Sequence, residues 1–518
     1  MSPTPAPVLI VGGGPTGTTL AIELMRRGVP CRVLDSADGP VHTSRSFTLH
    51  ARTLELFEMA NLADRFLERG LPSVSMDYHF QGIDEPARLD FSQLDSRYPY
   101  TLIINQNITE RTLREHLAEL GTPVEWSTEL RSISPESDGS VTATLVHHPS
   151  GRSEAVPTDW LVGCDGVQST VRSQLDIPYE GDEYEGMRLR MLDVPLDGFS
   201  MGDDRIHYFV SEERLLLITK LPGANYRVLI SDMQGNPPTE TVRTAFQNAV
   251  DIHFQGKVTL GEPEWATSFR SWRRVTPAYR HGRVFLAGDA AHCHSPAGGQ
   301  GMNACIQDAF NLGWKLAMVV RTEAHESLLD SYEPERRPIA QQVIEGTDAL
   351  HAIIMAHGIS IPDRIKLSRE PGFTQEAIGK ISGLDYNYRS AMGVPVEDAI
   401  GAGVVAGDRA PDVPIADGRR LHELLRHPGY TLLLLPKDDP GPELDTLAGE
   451  VAQRYGATVR VELITGDDRS LDRYAPAGGD AFCLVRPDGY VRLCARISDR
   501  DTLLAVLGAD LRREPCTS

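Results

Sequence analysis

Short apolar runs alternate with amphipathic stretches at the start of the chain, and glycines separate them. Val8–Val11 is uniformly apolar, which predicts a buried parallel strand, and Cys31–Leu34 predicts a second strand. Between them, Thr18–Arg27 carries apolar residues at helical spacing, and Gly28 stands where that helix should end. The pattern therefore predicts a strand–helix–strand unit at the beginning of the chain.

The same alternation of strands and helices runs through the rest of the chain. Further helices are predicted at His50–Met59, Leu113–Leu120, Asn303–Val320, Leu328–Tyr332, Pro338–His357 and Glu443–Tyr455. Further strands are predicted at Glu129–Ser134, Val141–Val146, Trp160–Cys164, Arg188–Val194, Ile206–Val210, Leu215–Lys220, Tyr226–Ile230, Arg283–Ala287, Thr431–Leu435, Val459–Ile464, Ala481–Val485 and Tyr490–Cys494. Strands dominate residues 178–270, so this stretch is expected to form a sheet of its own.

Length and pattern together predict an α/β fold class and a division into several units. A chain of 518 residues is longer than one core usually supports, and its length suggests about three domains. The predicted units are a doubly wound domain from residues 1–72, 98–177 and 271–395, a β-sheet domain from residues 73–97 and 178–270, and an α/β unit from residues 400–518. The last unit has the pattern strand, helix, strand and strand pair.

The charge balance excludes some classes of partner. Acidic residues outnumber basic residues by 72 to 51, which gives a formal net charge of −21. This argues against nucleic acids and anionic membranes as partners, because both attract a basic face. No apolar run approaches the ~20 residues of a membrane span. Met1–Pro7 lacks a basic region and Val8–Val11 is too short for a signal-peptide core, so a cytoplasmic location is expected.

The seven cysteines are widely spaced and include no Cys-x-x-Cys pair. A disulfide framework is therefore not expected, and reduced thiols that serve as small core residues fit better. The run His292–His294 resembles a metal-binding sequence, but no further histidine or carboxylate stands at helical spacing to complete a site. No metal site is predicted.

The glycine-rich run Gly12–Gly17 follows the first predicted strand and opens the first predicted helix. Gly12 would permit the tight turn, Gly14 would let the backbone approach a pyrophosphate, and Gly17 would let the helix pack on the strand. The helix N-terminus would present free N–H groups to the phosphates. Asp35 stands at the end of the second strand. Its separation in sequence from Gly14 is close to the ~20 residues expected of a carboxylate that binds ribose hydroxyls. The alternative is a tight turn without a ligand.

Gly401–Ala406 has a similar glycine pattern, G-x-G-x-x-A, but lacks the strand and the helix that flank a dinucleotide-binding turn. No apolar strand precedes it and no helix pattern follows it. We interpret it as a linker, which excludes a second dinucleotide fold.

Two later stretches complete the chemical signal. Cys164-Asp165-Gly166 follows one predicted strand, and Gly288–His292 follows another and runs on to Pro296, Gly298, Gly301 and Asn303. The three stretches together, in this order, predict an FAD site and redox chemistry. Taken singly, Asp165 and Asp289 could be ordinary turn or helix-capping residues.

These residues resemble the motifs of the single-component FAD-dependent aromatic hydroxylases, the class of para-hydroxybenzoate hydroxylase and phenol hydroxylase. The resemblance covers essentially the whole chain. Val485–Tyr490 (VRPDGY) is typical of the bacterial polyketide hydroxylases within that class. The resemblance implies a glutathione reductase-like FAD domain, an inserted β-sheet substrate domain and a thioredoxin-like C-terminal domain. Without a Cys-x-x-Cys pair, the last is expected to serve packing or subunit contacts, including those of a homodimer.

The resemblance also assigns roles to individual residues. The expected cofactor-binding residues are Gly12, Gly14, Pro15, Thr16, Gly17, Asp35, Arg45, Gln106, Asp165, Gly288, Asp289, Pro296, Gly298, Gly301, Met302 and Asn303. Asp289 would hold the ribityl chain, and amides near Met302 would face flavin N1 and O2. Asp165 would serve both FAD and the nicotinamide nucleotide, and Gln106 the adenosine side. Asp35 stands where the family usually has glutamate.

Catalytic and substrate-binding residues are expected on both sides of the flavin. The expected catalytic residues are Arg45, Arg52 and Pro296, although Arg45 could be a surface ion-pair partner and Arg52 could pair with Glu55 or Glu58 on its own helix. The expected substrate-binding residues are Tyr208, Leu221, Pro222, Tyr226 and Trp272. Each of these could instead be a core residue of the sheet.

The function implied is the hydroxylation of an aromatic polyketide in antibiotic biosynthesis or modification. FAD reduced by NADPH, or by NADH, would react with O₂ and transfer oxygen to a phenolic ring through a C4a-hydroperoxyflavin. Baeyer–Villiger oxygen insertion into a ketone is an alternative on the same scaffold, and a non-catalytic flavin-binding scaffold protein is another. No tryptophan stands in the Trp-x-Trp-x-Ile-Pro motif of the flavin halogenases.

Overall fold

The structure is a computed structural model that describes residues 6–40, 45–184, 187–212, 214–233, 242–354, 359–370, 372–395, 403–415, 418–437, 441–464, 473–474 and 479–513. Its helices are α1 (Pro15–Met25), α2 (Ala51–Met59), α3 (Ala63–Leu67), α4 (Gln106–Glu119), α5 (Thr170–Gln174), α6 (Val242–Phe254), α7 (Gly301–Val320), α8 (Tyr332–Ile354), α9 (Ile361–Ser368), α10 (Phe373–Ser382), α11 (Leu421–Leu424), α12 (Pro442–Tyr455) and α13 (Arg500–Asp510). The end of the helix predicted at Pro338–His357 and the start of the linker at Gly401–Ala406 fall outside the described residues.

The strands follow in chain order. They are β1 (Val8–Val11), β2 (Cys31–Leu34), β3 (Thr48–Leu49), β4 (Leu71–Ser73), β5 (Ser75–Phe80), β6 (Ala87–Asp90), β7 (Thr101–Ile103), β8 (Thr128–Pro135), β9 (Val141–His147), β10 (Arg152–Thr158), β11 (Trp160–Gly163), β12 (Glu180–Glu183), β13 (Met187–Val194), β14 (Leu196–Asp197), β15 (Arg205–Val210), β16 (Leu215–Lys220), β17 (Tyr226–Met233), β18 (Thr259–Leu260), β19 (Trp265–Phe269), β20 (Trp272–Val275), β21 (Arg280–His281), β22 (Val284–Leu286), β23 (His292–Cys293), β24 (Tyr430–Leu435), β25 (Val459–Leu463), β26 (Ala481–Val485) and β27 (Val491–Arg496).

A five-stranded sheet in the order β2-β1-β11-β22-β21 forms the base of the molecule. Its first four strands are parallel, and every residue in them except Arg32 is buried. This agrees with their almost entirely apolar sequences, since strands of a parallel sheet are covered on both faces. The three predicted motifs each follow the carboxyl end of one of these strands, namely β1, β11 and β22. Because carboxyl ends of parallel strands share one edge of a sheet, the topology brings the motifs together.

A seven-stranded sheet in the order β19-β13-β17-β16-β15-β5-β6 lies over that edge. Its pairs are antiparallel except β15 with β5, which run parallel. One face carries Met76, Met191 and Tyr208, and the other packs on α6 through residues such as Phe246 and Val250. The sequence reading missed α6, although its apolar residues recur at helical spacing.

A four-stranded sheet in the order β25-β24-β26-β27 forms the C-terminal unit. α12 joins the parallel pair β24 and β25, and α13 follows the antiparallel pair β26 and β27. This is the expected thioredoxin-like arrangement. The prediction of reduced thiols was wrong for Cys483 and Cys494, which form a disulfide across β26 and β27. They stand directly opposite each other in the strand pair, and sequence spacing does not reveal such a pairing.

A buried group of charges joins the C-terminal unit to the rest. Arg486 pairs with Glu335 of α8 at 2.7 Å, and Glu335 also accepts a hydrogen bond from Lys315 of α7 at 2.7 Å. Burial lowers the pKa of Lys315 to about 8. Close by, the ring of Trp314 meets Tyr430 edge-on at 5.6 Å. The VRPDGY sequence at 485–490 is therefore a contact between units and lies outside the predicted FAD site.

Each of these three sheets draws its strands from one of the predicted units. The boundaries themselves stay a prediction. Among the described residues, no helix is both long enough and apolar enough to cross a membrane.

Candidate active site

A cavity of about 410 Å³ separates the five-stranded sheet from the seven-stranded sheet. Eleven of the predicted site residues line it, namely Gly14, Pro15, Thr16, Arg45, Gln106, Tyr208, Trp272, Asp289, Pro296, Gly301 and Met302. A second group belongs to the same loops and to the first turns of α1 and α7 but does not line the cavity, namely Gly12, Gly17, Asp35, Asp165, Gly288, Gly298 and Asn303. The cavity volume is within the ~300–1,000 Å³ typical of ligand pockets.

The glycine-rich loop is shaped by close backbone contacts. Gly12 has φ of 111°, and a Cβ there would lie 2.3 Å from the Cys164 carbonyl oxygen. A Cβ at Gly17 would lie 1.9 Å from the Gly12 carbonyl oxygen. A Cβ at Gly14 would meet no atom of the residues that the structure describes within 4 Å, because Gly14 borders the cavity. The loop thus leaves open space where a phosphate could approach the N-terminus of α1.

Two polar side chains hold the loops at one end of the cavity. Asp35 accepts hydrogen bonds from the amides of Gly13 at 2.8 Å and Ala37 at 2.9 Å. Gln106 accepts from the amides of Arg45 and Ser46, at 3.2 and 3.0 Å. Both side chains therefore hold the loops that form this end. Asp35 retains lone pairs for a ribose hydroxyl, since a carboxylate accepts about four hydrogen bonds.

Two carboxylates at the sheet edge carry oxygen atoms suited to a ligand. Asp165 accepts from the amides of Thr170 and Val171, while its Oδ1 is buried and has no hydrogen-bond partner within the described part of the chain. Asp289 accepts only from the Cys305 thiol, at 3.3 Å, among the described residues. Burial raises the pKa of both carboxyl groups. Unsatisfied buried oxygens of this kind favour a ligand that donates hydroxyl hydrogen bonds.

Asp308 of α7 holds the segment that carries Asp289, and the sequence reading missed it. Its Oδ2 accepts from the Gly288 amide at 3.1 Å and from His292 at 2.7 Å, while its Oδ1 accepts from Arg336 at 2.6 Å. Burial opposes ionisation, but His292 and Arg336 outweigh it and keep the pKa of Asp308 below its usual value. The His292–His294 run therefore serves this loop. No spacing signal could reveal it, since its partners come from three segments.

The loop at 296–301 is held by polar groups of β3 and α2. Asn303 donates to the Thr48 and Gly299 carbonyls and accepts from the His50 amide, at 3.1, 3.0 and 2.9 Å. The His50 ring faces the Gly298 carbonyl at 2.9 Å, and burial lowers the pKa of His50 to about 4. The loop leads into α7, whose first residues, Gly301 and Met302, line the cavity. A helix N-terminus favours negative charge there.

The wall opposite is apolar and comes from the seven-stranded sheet. It includes Met76, Met191, Tyr208, Leu215, Leu217 and Leu229. Phe269 and Trp272 continue it to the opening, where Arg45 lies 5.9 Å above the Phe269 ring. Except for Tyr208 and Trp272, the sequence reading did not find these wall residues. The sequence offered one signal for them, which is that they alternate along their strands with residues that point to the opposite face of the sheet.

The structure corrects the placement of four predicted residues. Arg52 is fully buried away from the cavity, where it pairs with Glu55 at 3.1 Å and donates to the Asp488 carbonyl at 2.7 Å. This agrees with the alternative interpretation of Arg52 as an ion-pair partner. Tyr226 has the opposite strand parity to Leu229 and faces Phe199 at 5.3 Å.

The other two belong to the turn after β16. Leu221 is a core residue whose amide donates to the Asn225 carbonyl at 3.0 Å, and Pro222 lies within this turn. This turn joins the ends of β16 and β17, so neither Leu221 nor Pro222 can reach the middle of the apolar wall.

Comparison with known proteins gives the family. A family model described as FAD binding domain matches residues 5–347, and one described as aromatic-ring hydroxylase, C-terminal, matches residues 404–511. The chain belongs to the FAD-dependent aromatic-ring hydroxylases. Pentachlorophenol 4-monooxygenase of Sphingobium chlorophenolicum is 44% identical over 98% of this chain and 97% of its own length.

Two further relatives come from Streptomyces rimosus. Its 6-methylpretetramide 4-monooxygenase is 38% identical over 97% of this chain and 93% of its own length. The solved structure of its anhydrotetracycline hydroxylase OxyS superposes with a TM-score of 0.80 at 30% identity, and covers 98% of this chain and 99% of its own. This flavin-dependent monooxygenase therefore has FAD as its cofactor, and NAD(P)H is its electron donor.

The residues present fit FAD. The open side of Gly14 can receive the pyrophosphate, the free oxygens of Asp289 and Asp165 can accept from hydroxyl groups, and the α7 N-terminus can face the flavin pyrimidine. The individual contacts stay a prediction.

Proposed function

We propose that this flavin monooxygenase hydroxylates a phenolic ring of a polycyclic aromatic polyketide. The cavity wall carries the proposal, because it is broad, apolar and built from the sheet that faces the flavin loops. Such a wall suits a flat, uncharged ligand. The relatives whose names state pentachlorophenol, 6-methylpretetramide and anhydrotetracycline add support, and two of the three names denote large ring systems.

The chain's own residues would bind, orient and shield the substrate. When bound, FAD supplies electron transfer from NAD(P)H and the activation of O₂. The leucine and methionine side chains of the wall exclude water, which protects a reactive site from side reactions. The α7 N-terminus stabilises negative charge at its end of the cavity. Arg45 and Arg270 at the opening suit the approach of an anionic nucleotide.

The proposed activity can be tested with purified protein, FAD and NADPH. Anhydrotetracycline serves as the polycyclic probe and pentachlorophenol as the single-ring probe. We expect the polycyclic probe to accelerate NADPH oxidation more strongly and to yield one phenolic product per NADPH consumed. NMR of the product distinguishes hydroxylation from Baeyer–Villiger insertion, because a lactone would indicate the latter.

Two outcomes would count against the proposal. NADPH oxidation that yields only hydrogen peroxide with every phenolic probe would contradict substrate hydroxylation. A bound flavin that NADPH fails to bleach would favour the scaffold alternative.

Tyr208 is the polar group of the apolar wall. It is 4% exposed, lines the cavity, and makes no hydrogen bond to the part of the chain that the structure describes. Burial raises the pKa of Tyr208, so its hydroxyl stays protonated and can donate. We propose that Tyr208 Oη donates a hydrogen bond to a substrate oxygen.

Replacement of Tyr208 by phenylalanine is expected to raise KM for the phenolic substrate by about fivefold, since a neutral hydrogen bond contributes about 1 kcal/mol. The yield of product per NADPH should also fall, because the substrate is held less firmly. Steady-state kinetics with product quantification measures both effects.

Tyr78 provides the matched control. It stacks on Tyr208 at 4.8 Å, but its hydroxyl donates to Met76 Sδ and does not line the cavity. Tyr78→Phe should leave KM and product yield unchanged. Equal effects of the two substitutions would show that only packing of the stacked pair matters.

A further inference from the structure

The parallel junction of β5 and β15 brings two imidazoles and a carboxylate together on the face away from the cavity. Asp77 stands opposite His207 in the register, and His79 follows two residues after Asp77 on the same face. One ligand atom from each of the three lies within 4.8 Å of the other two. Asp77 and His207 are buried, and His79 is half-buried.

The distance between the two imidazoles suits a shared metal ion. His79 Nε2 and His207 Nδ1 are 3.2 Å apart. Two nitrogens on a tetrahedral zinc ion, each at about 2.0–2.1 Å, are separated by about 3.3 Å. A metal could therefore take both nitrogens with little movement of the strands.

The hydrogen bonds of His207 prepare its tautomer for this role. His207 Nε2 faces the carbonyls of Met201 and Gly202, both at 3.1 Å, so it carries the hydrogen. Its Nδ1 consequently presents a lone pair toward His79. A ring N–H donated to a backbone carbonyl is the usual support of a histidine that binds a metal. Without a metal, His79 Nε2 donates to this lone pair, and metal binding requires only that the His79 hydrogen move to its Nδ1.

A third histidine lies close to this face of the sheet. His253 comes from α6 and packs on Phe209 at 5.2 Å, and the same Phe209 ring stacks on His79 at 4.8 Å.

Asp77 limits the class of metal. Its carboxylate accepts from Ser75 at 2.8 Å, from Arg88 at 2.9 and 2.8 Å and from Arg205 at 3.4 Å, so its acceptor positions are already used. Hard ions such as Ca²⁺ and Mg²⁺ need several carboxylates, whereas zinc-like ions bind imidazole well. We propose that His79 and His207 form a site for a zinc-like divalent ion that joins β5 to β15, and that the nearby charge of Asp77 favours the bound cation.

The proposed ion would stabilise the substrate wall from behind. Met76 on β5 and Tyr208 on β15 face the cavity from the same two strands. No spacing signal in the sequence marks this site, because its two histidines are 128 residues apart.

A cobalt titration tests the site in the full-length, untagged, FAD-bound protein after treatment with EDTA. We expect one Co²⁺ per chain to bind with the visible absorption of a tetrahedral ion, to be displaced by Zn²⁺, and to raise the Tm. His79→Gln should weaken Co²⁺ binding by more than about tenfold, because loss of a residue that merely supports a ligand already has this effect. His253→Gln is the matched control and should bind as the parent does.

X-ray absorption of the zinc-loaded parent protein gives a second measurement that does not depend on a variant. Two imidazoles in the zinc coordination shell are expected. The absence of stoichiometric Co²⁺ binding, unchanged binding by His79→Gln, or a zinc shell with fewer than two imidazoles would overturn the proposal.

Discussion

Gly14→Ala is expected to yield a folded protein that no longer retains FAD. Gly14 has φ of −74°, and a Cβ there would meet nothing within 4 Å among the described residues, so alanine fits the chain itself. The added methyl group would instead occupy the space through which the pyrophosphate approaches the loop. We expect FAD affinity to fall by about 100-fold or more, which equals about 2.7 kcal/mol. Fluorescence titration of the apoprotein with FAD measures the change.

Substitutions at two other glycines serve as controls, because they distinguish a loss of FAD binding from a general effect of replacing glycine by alanine. Gly449 lies on the exposed face of α12 with nothing within 4 Å, so Gly449→Ala should leave FAD binding unchanged and stabilise the helix by up to about 1 kcal/mol. Gly17→Ala should lower the yield of folded protein, because its Cβ would overlap the Gly12 carbonyl. Gly14→Ala protein that binds FAD as tightly as the parent would place the pyrophosphate elsewhere.

Arg486→Met is expected to lower the free energy of unfolding by about 3–5 kcal/mol, the range measured when one partner of a buried ion pair is removed. Arg486 donates to Glu335 at 2.7 and 2.8 Å and to Asp488, and the side chains of all three are at most 3% exposed. Methionine would fill much of the space but would leave the two carboxylates with too few donors. Urea unfolding followed by tryptophan fluorescence measures the loss.

Arg65 supplies the control for this substitution. Its pair with Glu119 is 2.7 Å long, but the two side chains are 37% and 53% exposed. An exposed pair contributes about 1 kcal/mol or less, so Arg65→Met should have little effect. Equal unfolding midpoints for Arg486→Met and the parent would show that the C-terminal unit does not depend on these charges.

The sequence predicted the parts of this fold that depend on local pattern. Val8–Val11, Cys31–Leu34 and the strands of the β-rich stretch were found because their apolar residues follow a strand's periodicity or fill it entirely. The family resemblance, confirmed by the comparisons, added the FAD site and the thioredoxin-like unit. Which loops meet at the cavity followed from the parallel order of β1, β11 and β22.

The remaining features depend on tertiary contacts that pattern does not encode. Arg52 looked suited to the cavity from its position on α2, but Glu55 and the Asp488 carbonyl, far away in sequence, decide where it lies. Asp308 looked like an ordinary helix residue, yet it holds the Gly288 loop. Tyr226 was expected to bind substrate, with a core position as the alternative. Its strand parity is opposite to that of Leu229, and the structure was needed to show which face of this strand lines the cavity.

The charged contact between units bears on any attempt to engineer a smaller catalyst. A truncated enzyme that ended before the C-terminal unit would leave Arg52 without the Asp488 carbonyl and Glu335 without Arg486. It would also leave Trp314 without Tyr430, so that a large aromatic ring and several charges would share one newly bare surface. Such a fragment should precipitate even though every loop around the cavity is intact, and a minimal version of this hydroxylase has to retain its C-terminal residues.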